Sequence, residues 1–317
     1  MADQLVNLRK VSNFRDVGYV VNTFLGERSG LLTPKWISRK VFRLGDANLQ
    51  SRRVKEGLVF RSARLDEATT PDKKIMTGDL GIKTVIDLRT DTEHLREAEK
   101  HKTQLEAHYR SLSDGPDPIQ IPGVEYHKIK IAGRQLERHL VRQLSWWGFF
   151  NCVGLYATGY RMEAISVIGR EVMLPKGLLG LGLDTLDQSG YEICEVLSLY
   201  ATQSTLPSVV HCTHGKDRTG LIAALVLLIL GIPIEAIEYD YFLTDEAIAH
   251  EREVRLAEIG EIGLTEEWAG TDKNMILGII RHLDQQYGGL NGYLDFIGFE
   301  EEERAALRRN LLYPAKA

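Results

Sequence analysis

Three cysteines in 317 residues, Cys152, Cys194 and Cys212, are too few and too oddly numbered to build a disulfide framework. Free thiols and a reducing compartment follow. Long apolar runs are scarce as well. The longest, Leu221 to Ile234, covers about fourteen residues, short of the roughly twenty that cross a bilayer, and reads as a buried helix. A basic excess is missing: 39 Lys and Arg face 44 Asp and Glu, for a net charge of -5. With a pI near 6.0, no broad cationic surface is expected, and nucleic acid is not the expected partner. The first residues, Met-Ala-Asp-Gln-Leu-Val-Asn, lack the basic start and apolar stretch of a leader, so a cytoplasmic location is expected. No cluster of His, Cys, Asp or Glu argues for a metal, and no internal repeat or low-complexity stretch is evident.

At 44% hydrophobic residues the chain can bury a large core, and a single large domain is favoured. Val85-Ile86, bounded by a polar turn and Asp87, suggests a central strand. Leu206 to Val210 is short, β-branched and opened by proline, which predicts another strand. Tyr191 to Thr202 and Leu221 to Leu230 have helical character, the second stopped by Gly231 and Pro233. Strands alternating with helices argue for an α/β layered fold. From Glu235 onward the pattern is helical and charged.

The densest chemistry lies in His211-Cys212-Thr213-His214-Gly215-Lys216-Asp217-Arg218-Thr219-Gly220. Strand, loop and helix follow in that order, so loop N–H groups and the positive end of a helix dipole converge on one spot and hold an anion there. A thiol at that position is favoured as thiolate. Arg218, six positions beyond Cys212, returns across the loop with a planar fork that fits two phosphoryl oxygens. Thr219 can donate its hydroxyl to the sulfur as it departs. Gly215 permits close backbone approach and Gly220 tight helix packing. Thr213, His214, Gly215, Lys216 and Thr219 form the expected phosphate-binding set. His211 is expected to order the loop rather than act as a base. Arg15, Asp16 and Arg61 either brace the loop or line its mouth, a structural ion pair being the plainer role. Cysteine and arginine six apart also arise by accident; the flanking His, Gly and Thr-Gly and the strand-to-helix setting separate this case.

This signature resembles that of the cysteine-dependent tyrosine phosphatases, in the branch that includes a mycobacterial secreted B-type enzyme and its fungal and bacterial relatives. Asn13-Phe14-Arg15-Asp16-Val17-Gly18, Val59 to Leu65, Gly81 to Arg89, Asp240 to Thr244 and Tyr287 to Leu294 are similar to other motifs of that family. The resemblance implies one phosphatase domain over 1–317. It implies a protein-tyrosine-phosphatase-like α/β fold, with a central sheet flanked by helices and a helical lid inserted at about 138–183, where the match is weakest. It also implies a phosphomonoesterase that works through a phosphocysteine on protein phosphotyrosine, with dual specificity open, and without metal or cofactor. Asp217 is implied as the acid for the leaving oxygen, its alternative being a brace to Lys216, Arg218 or the backbone. Asp184 and Asp187, before the helix leading to the catalytic strand, are rivals. Asp87 is a third, or else a partner for Arg89.

Lys216, an extra cation in the cradle, and His214 keep phosphoinositide headgroups open as substrates beside phosphotyrosine proteins. Alternatively Lys216 is solvated and pairs with Asp217. A phosphate-binding pseudoenzyme is the reading of a different class, and a sulfurtransferase ranks below it. A low-pKa exposed thiolate would be open to oxidation, and whether Cys152 or Cys194 protects Cys212 as a disulfide is left open. Ser111 to Pro118 is turn-rich and expected to be mobile. The aromatic cluster Trp146-Trp147-Gly148-Phe149-Phe150 reads as lid, as packed core or as a contact between copies. A membrane-surface role ranks below these.

Overall fold

The computed structural model describes residues 8–29, 53–109 and 120–314; the turn-rich stretch 111–118 lies outside them. Five strands and fourteen α-helices are ordered along these residues. They run β1 (Arg15–Asp16), α1 (Val17–Ser29), β2 (Val59–Ser62), α2 (Thr70–Lys74), β3 (Thr84–Asp87), α3 (Asp91–Tyr109) and β4 (Glu125–Lys128). Then come α4 (Arg134–Val141), α5 (Trp146–Ala157), α6 (Arg161–Ile168), α7 (Leu174–Gln188), α8 (Gly190–Ala201) and β5 (Ser208–His211). The chain closes with α9 (Asp217–Ile229), α10 (Ile234–Ala247), α11 (Arg252–Glu261), α12 (Met275–Tyr287), α13 (Leu290–Phe296) and α14 (Glu301–Leu311).

The sheet order is β1-β2-β5-β3-β4, all parallel except for the two-residue β1 at one edge. Every residue of β2, β3 and β5 is buried. Period-2 alternation sorts their side chains into two cores. Val59, Ile86 and Val210 join the larger cluster, with α1, α8, α9, α10 and α12 to α14. Phe60, Val85 and Val209 point to the smaller one, with Met76 and Ile82. The predicted strands at 85–86 and 206–210 are present, the second shifted to begin after Pro207. The α/β expectation holds, as does the helical C-terminal third.

Helix α9 is buried at Thr219 through Leu227 and again at Ile229. Apolar on every side, it suits a position inside the fold rather than on its surface. Gly231, at φ 70°, ends it where the sequence placed the stop. At the carboxyl end of the sheet, Ser62 and Asp87 flank His211 in register. Loops at such ends converge on one crevice, and the chain turns there into α9. The segment 138–183 is helical throughout apart from short turns, with a small cluster of its own around Cys152, Ala164 and Val167 and another in which Leu140 and Val172 join Leu136.

Candidate active site

Cys212 follows β5 directly and is 3% exposed. Beyond it the chain bends at Gly215, whose φ of 65° is natural only to glycine. A Cβ at that position would collide with the Ser62 carbonyl, so the loop can lie against β2 only because the residue has no side chain. Gly220 plays the predicted packing role, since a Cβ there would meet the Tyr241 ring at 3.0 Å.

The loop is held from below by a buried polar network. Asn13, at φ 58°, donates its Nδ2 to the carbonyls of His214 (3.1 Å) and Gly215 (2.9 Å). Asparagine tolerates that left-handed backbone better than most residues. Arg61 donates to the Gly215 carbonyl at 2.7 Å and to Asp240 Oδ2 at 2.5 Å. Arg15 grips the other carboxylate oxygen of Asp240 at 2.8 Å and its carbonyl at 2.7 Å. Burial works against the Asp240 carboxylate, but the two guanidiniums outweigh it and hold its pKa below the ordinary range. Arg15 and Arg61 are therefore braces, the plainer of their two expected roles. Asp16 instead caps the start of α1 through the Gly18 and Tyr19 N–H groups.

Arg218 is fixed by a residue the sequence reading did not single out. Glu93 takes Nη1 at 2.7 Å and Nη2 at 2.6 Å, a two-pronged pair, and also accepts from the Thr213 hydroxyl. Burial opposes ionisation of Glu93, yet the charge and hydrogen bonds of Arg218, with those of Thr213 and Thr90, hold its carboxyl well below the usual range. Thr90 and Glu93 form a capping box at the start of α3. That Thr-x-x-Glu spacing after the β3 motif was visible in the sequence; its reach to Arg218 was not.

The remaining residues separate clearly. Thr219 is fully buried and its hydroxyl has no hydrogen-bond partner among the described residues, in keeping with the expected donation to the sulfur. His211 is buried beside Asp87 at 3.5 Å, and burial lowers its pKa and favours the neutral ring, in keeping with an ordering role. His214 meets Glu258 of α11 at 2.9 Å. Lys216 is not the open cation of the phosphoinositide expectation, nor is it solvated. It is 2% exposed, and its ammonium donates to the carbonyls of Trp268 (2.7 Å) and Gly270 (2.6 Å), with Asp217 Oδ1 3.5 Å away.

Among the aspartates, Asp217 stands at the first turn of α9 with its side chain 44% exposed and Oδ1 without a hydrogen-bond donor. Asp87 accepts three bonds from the Arg89 guanidinium and one from its N–H. Burial opposes the Asp87 charge, but the charge and hydrogen bonds of Arg89 hold its carboxyl well below the ordinary range, which fits a partner for Arg89 better than an acid. Asp184 pairs with Lys176 and His139, and Asp187 with His282 and Tyr287 at 2.7 Å each. Those partners occupy both carboxylates, and neither aspartate is among the residues that line the cavity beside Arg218.

Above the loop lies a cavity of about 670 Å³. Thr213, His214 and Arg218 form its polar end, and Leu136 of α4, Ile165 of α6 and Ile276 of α12 are among its apolar walls. The aromatic cluster of α5 does not line it. Trp146 and Trp147 are 80% and 86% exposed, which removes the packed-core reading. All three cysteines are free thiols.

Residues 6–313 match the sequence model of the tyrosine phosphatase family. A tyrosine-protein phosphatase of Nostoc commune is 30% identical over 166 residues, 47% of this chain and 56% of the relative. The triple specificity protein phosphatase PtpB of Mycobacterium tuberculosis is 28% identical over 122 residues, 33% of this chain and 44% of the relative. The chain thus spans about half the length of these relatives, whereas the family model runs nearly end to end across the strand, loop and helix that carry Cys212 and Arg218. The chain belongs to the tyrosine phosphatase family.

Proposed function

We propose that the protein is a cysteine-dependent phosphomonoesterase acting on protein phosphotyrosine, with dual specificity included. The observation that carries this reading is Cys212 at the foot of a loop that runs from a buried parallel strand into a helix N-terminus, with the Arg218 fork fixed beside it by Glu93. Loop N–H groups and Arg218 bind the equatorial oxygens of the phosphoryl group. The Cys212 sulfur attacks phosphorus as the ester P–O bond breaks, and Asp217 gives its proton to the departing oxygen. Water, yielding a proton to Asp217, then attacks the phosphocysteine. The P–S bond breaks, and Thr219 donates to the released thiolate. Asp217 suits the acid role because it alone of the four candidate aspartates lies in the loop without an arginine, lysine or histidine hydrogen bond.

The walls supplied by α4, α6 and α7 support a lid role for the 138–183 segment, which would exclude water from the intermediate. A phosphoinositide headgroup is the second reading. Its support is the cationic rim of the cavity, where Arg64, Arg89, Arg96 and Lys100 stand, although each is paired with a carboxylate.

The test is hydrolysis of a phosphotyrosine peptide, a phosphoserine peptide and a phosphoinositide panel by wild type and Cys212→Ser under reducing conditions. Turnover of the phosphotyrosine peptide by wild type alone supports the reading. Binding without phosphate release in wild type sinks it in favour of a phosphate-binding module. Asp217→Asn is expected to slow esters with poor leaving groups most, because a good leaving group needs no proton.

A further inference from the structure

Helix α5 carries apolar surface on the side where a water-exposed helix carries charge. Its sequence, WWGFFNCVGLYA, contains no charged residue. The inward seam is narrow: Gly148, Cys152 and half-buried Leu155 recur at helical spacing, and Cys152 packs with Ala164 and Val167 of α6. Trp146, Trp147, Phe150, Val153 and Tyr156 face outward. The outward rings support one another, Trp146 and Phe150 with centroids 6.2 Å apart and Phe149 and Phe150 edge-on at 5.7 Å.

Within the margins set by Glu137, Glu163 and the Glu171 that accepts from Ser145, the charges of this segment are positive. From 138 to 162 the chain has no Asp or Glu, while Arg138, Arg142 and Arg161 are all exposed, in a protein whose net charge is -5. The Arg161 guanidinium sits 5.7 Å from the Tyr156 ring centre. An exposed aromatic face suits either a second copy of this chain or a lipid surface. A two-fold contact would set the same arginines against one another, a like-charge arrangement that opposes association. Lipid phosphates complement them, and Trp and Tyr favour the boundary between hydrocarbon and water.

We infer that α5, with Arg138, Arg142 and Arg161, is an anchor that docks the protein on the surface of an anionic bilayer. Its twelve residues rise about 18 Å, against a hydrocarbon core of about 30 Å, so it lies in the interface and does not span. No helix among the described residues is long and apolar enough to cross a membrane. The anchor depends on neither Cys212 nor turnover, so it stands apart from the phosphatase reading.

The experiment is co-sedimentation of the full chain with phosphatidylcholine vesicles, with and without phosphatidylserine. It is run on wild type, on Trp146→Ala/Trp147→Ala and on Arg138→Glu/Arg142→Glu. Wild type is expected to pellet with the anionic vesicles, less so as salt rises, and both variants to lose about tenfold in partitioning. The melting temperature of the tryptophan variant should match wild type. Should it fall, quenching of wild-type tryptophan fluorescence by bromine-labelled lipid replaces that arm, and absence of quenching overturns the anchor. Wild type left in the supernatant with both vesicles overturns it too, as does full binding by the tryptophan variant. A dimer that the tryptophan substitutions dissociate, with no vesicle binding, assigns the face to a second copy instead.

Discussion

The phosphate loop and the α4–α6 segment are both surfaces the chain keeps near one cavity, and they are built on opposite plans. Below the loop the charged and amide groups are fixed by partners: buried Asn13 by two carbonyls, buried Arg61 by a carbonyl and a carboxylate, and half-buried Arg218 by Glu93. The α5 face, by contrast, leaves its aromatic rings in solvent, with only small clusters beneath. A site that must hold an anion in one geometry gains from partners fixed in a low-dielectric interior. A surface that meets a neighbour keeps its contact area uncommitted.

The largest effect should come from the sulfur. Cys212→Ser is expected to lower turnover about 10⁴-fold while leaving the melting temperature near wild type, since the loop's braces do not involve Sγ. Retained turnover would remove the nucleophile from the scheme. Next is the brace itself. Arg61→Met leaves Asp240 with Arg15 alone and the Gly215 carbonyl with Asn13 alone, a loss of about 3–5 kcal/mol in a urea titration. Trp147→Ala should move the same curve by no more than about 0.5 kcal/mol, as befits an exposed residue. Equal losses at the two positions would erase the contrast between the regions.

Glu93→Gln sharpens the catalytic half of the comparison. With the charged two-pronged pair replaced by a neutral amide, Arg218 loses its fixed orientation, and kcat should drop about 10- to 100-fold with a smaller change in KM. An unchanged kcat would make the pair purely structural. A smaller effect joins α11 to the loop. Burial raises the cost of charging Glu258, yet its bond to His214 and the charge of Arg64 prevail, lowering the carboxyl from 4.5 to about 2. A depressed carboxyl gives stability that is complete above 4.5 and is lost as pH falls toward about 2. Across that window wild type should lose about 1 kcal/mol more than Glu258→Gln. Parallel melting-temperature profiles for the two would contradict it.

Much of the site was written in contiguous residues. Cys212 and Arg218 stand at the two ends of the loop where their spacing placed them, Gly215 and Gly220 allow the close approaches expected of them, and α8, β5 and α9 fall close to the predicted bounds. Lys216 misled because a lysine in a polar loop normally faces water, and only the carbonyls at 268 and 270 show that it is buried. Asp184 and Asp187 misled because their position before α8 says nothing of the partners waiting on α4 and α12. Packed core was one of three readings the aromatic cluster allowed, since aromatics usually pack; the single inward seam of α5 leaves most of them outside.

By itself, then, the sequence determined the loop and its chemical groups: a thiol, a planar cation and two glycines whose spacing turns the chain from strand into helix, because short-range sterics act within a few residues. Tertiary structure decided which partners hold that chemistry in place. Glu93 lies 125 residues from Arg218, and Arg15 lies 225 from Asp240. Such pairs form only when packed layers bring distant segments together, and no local pattern encodes that meeting.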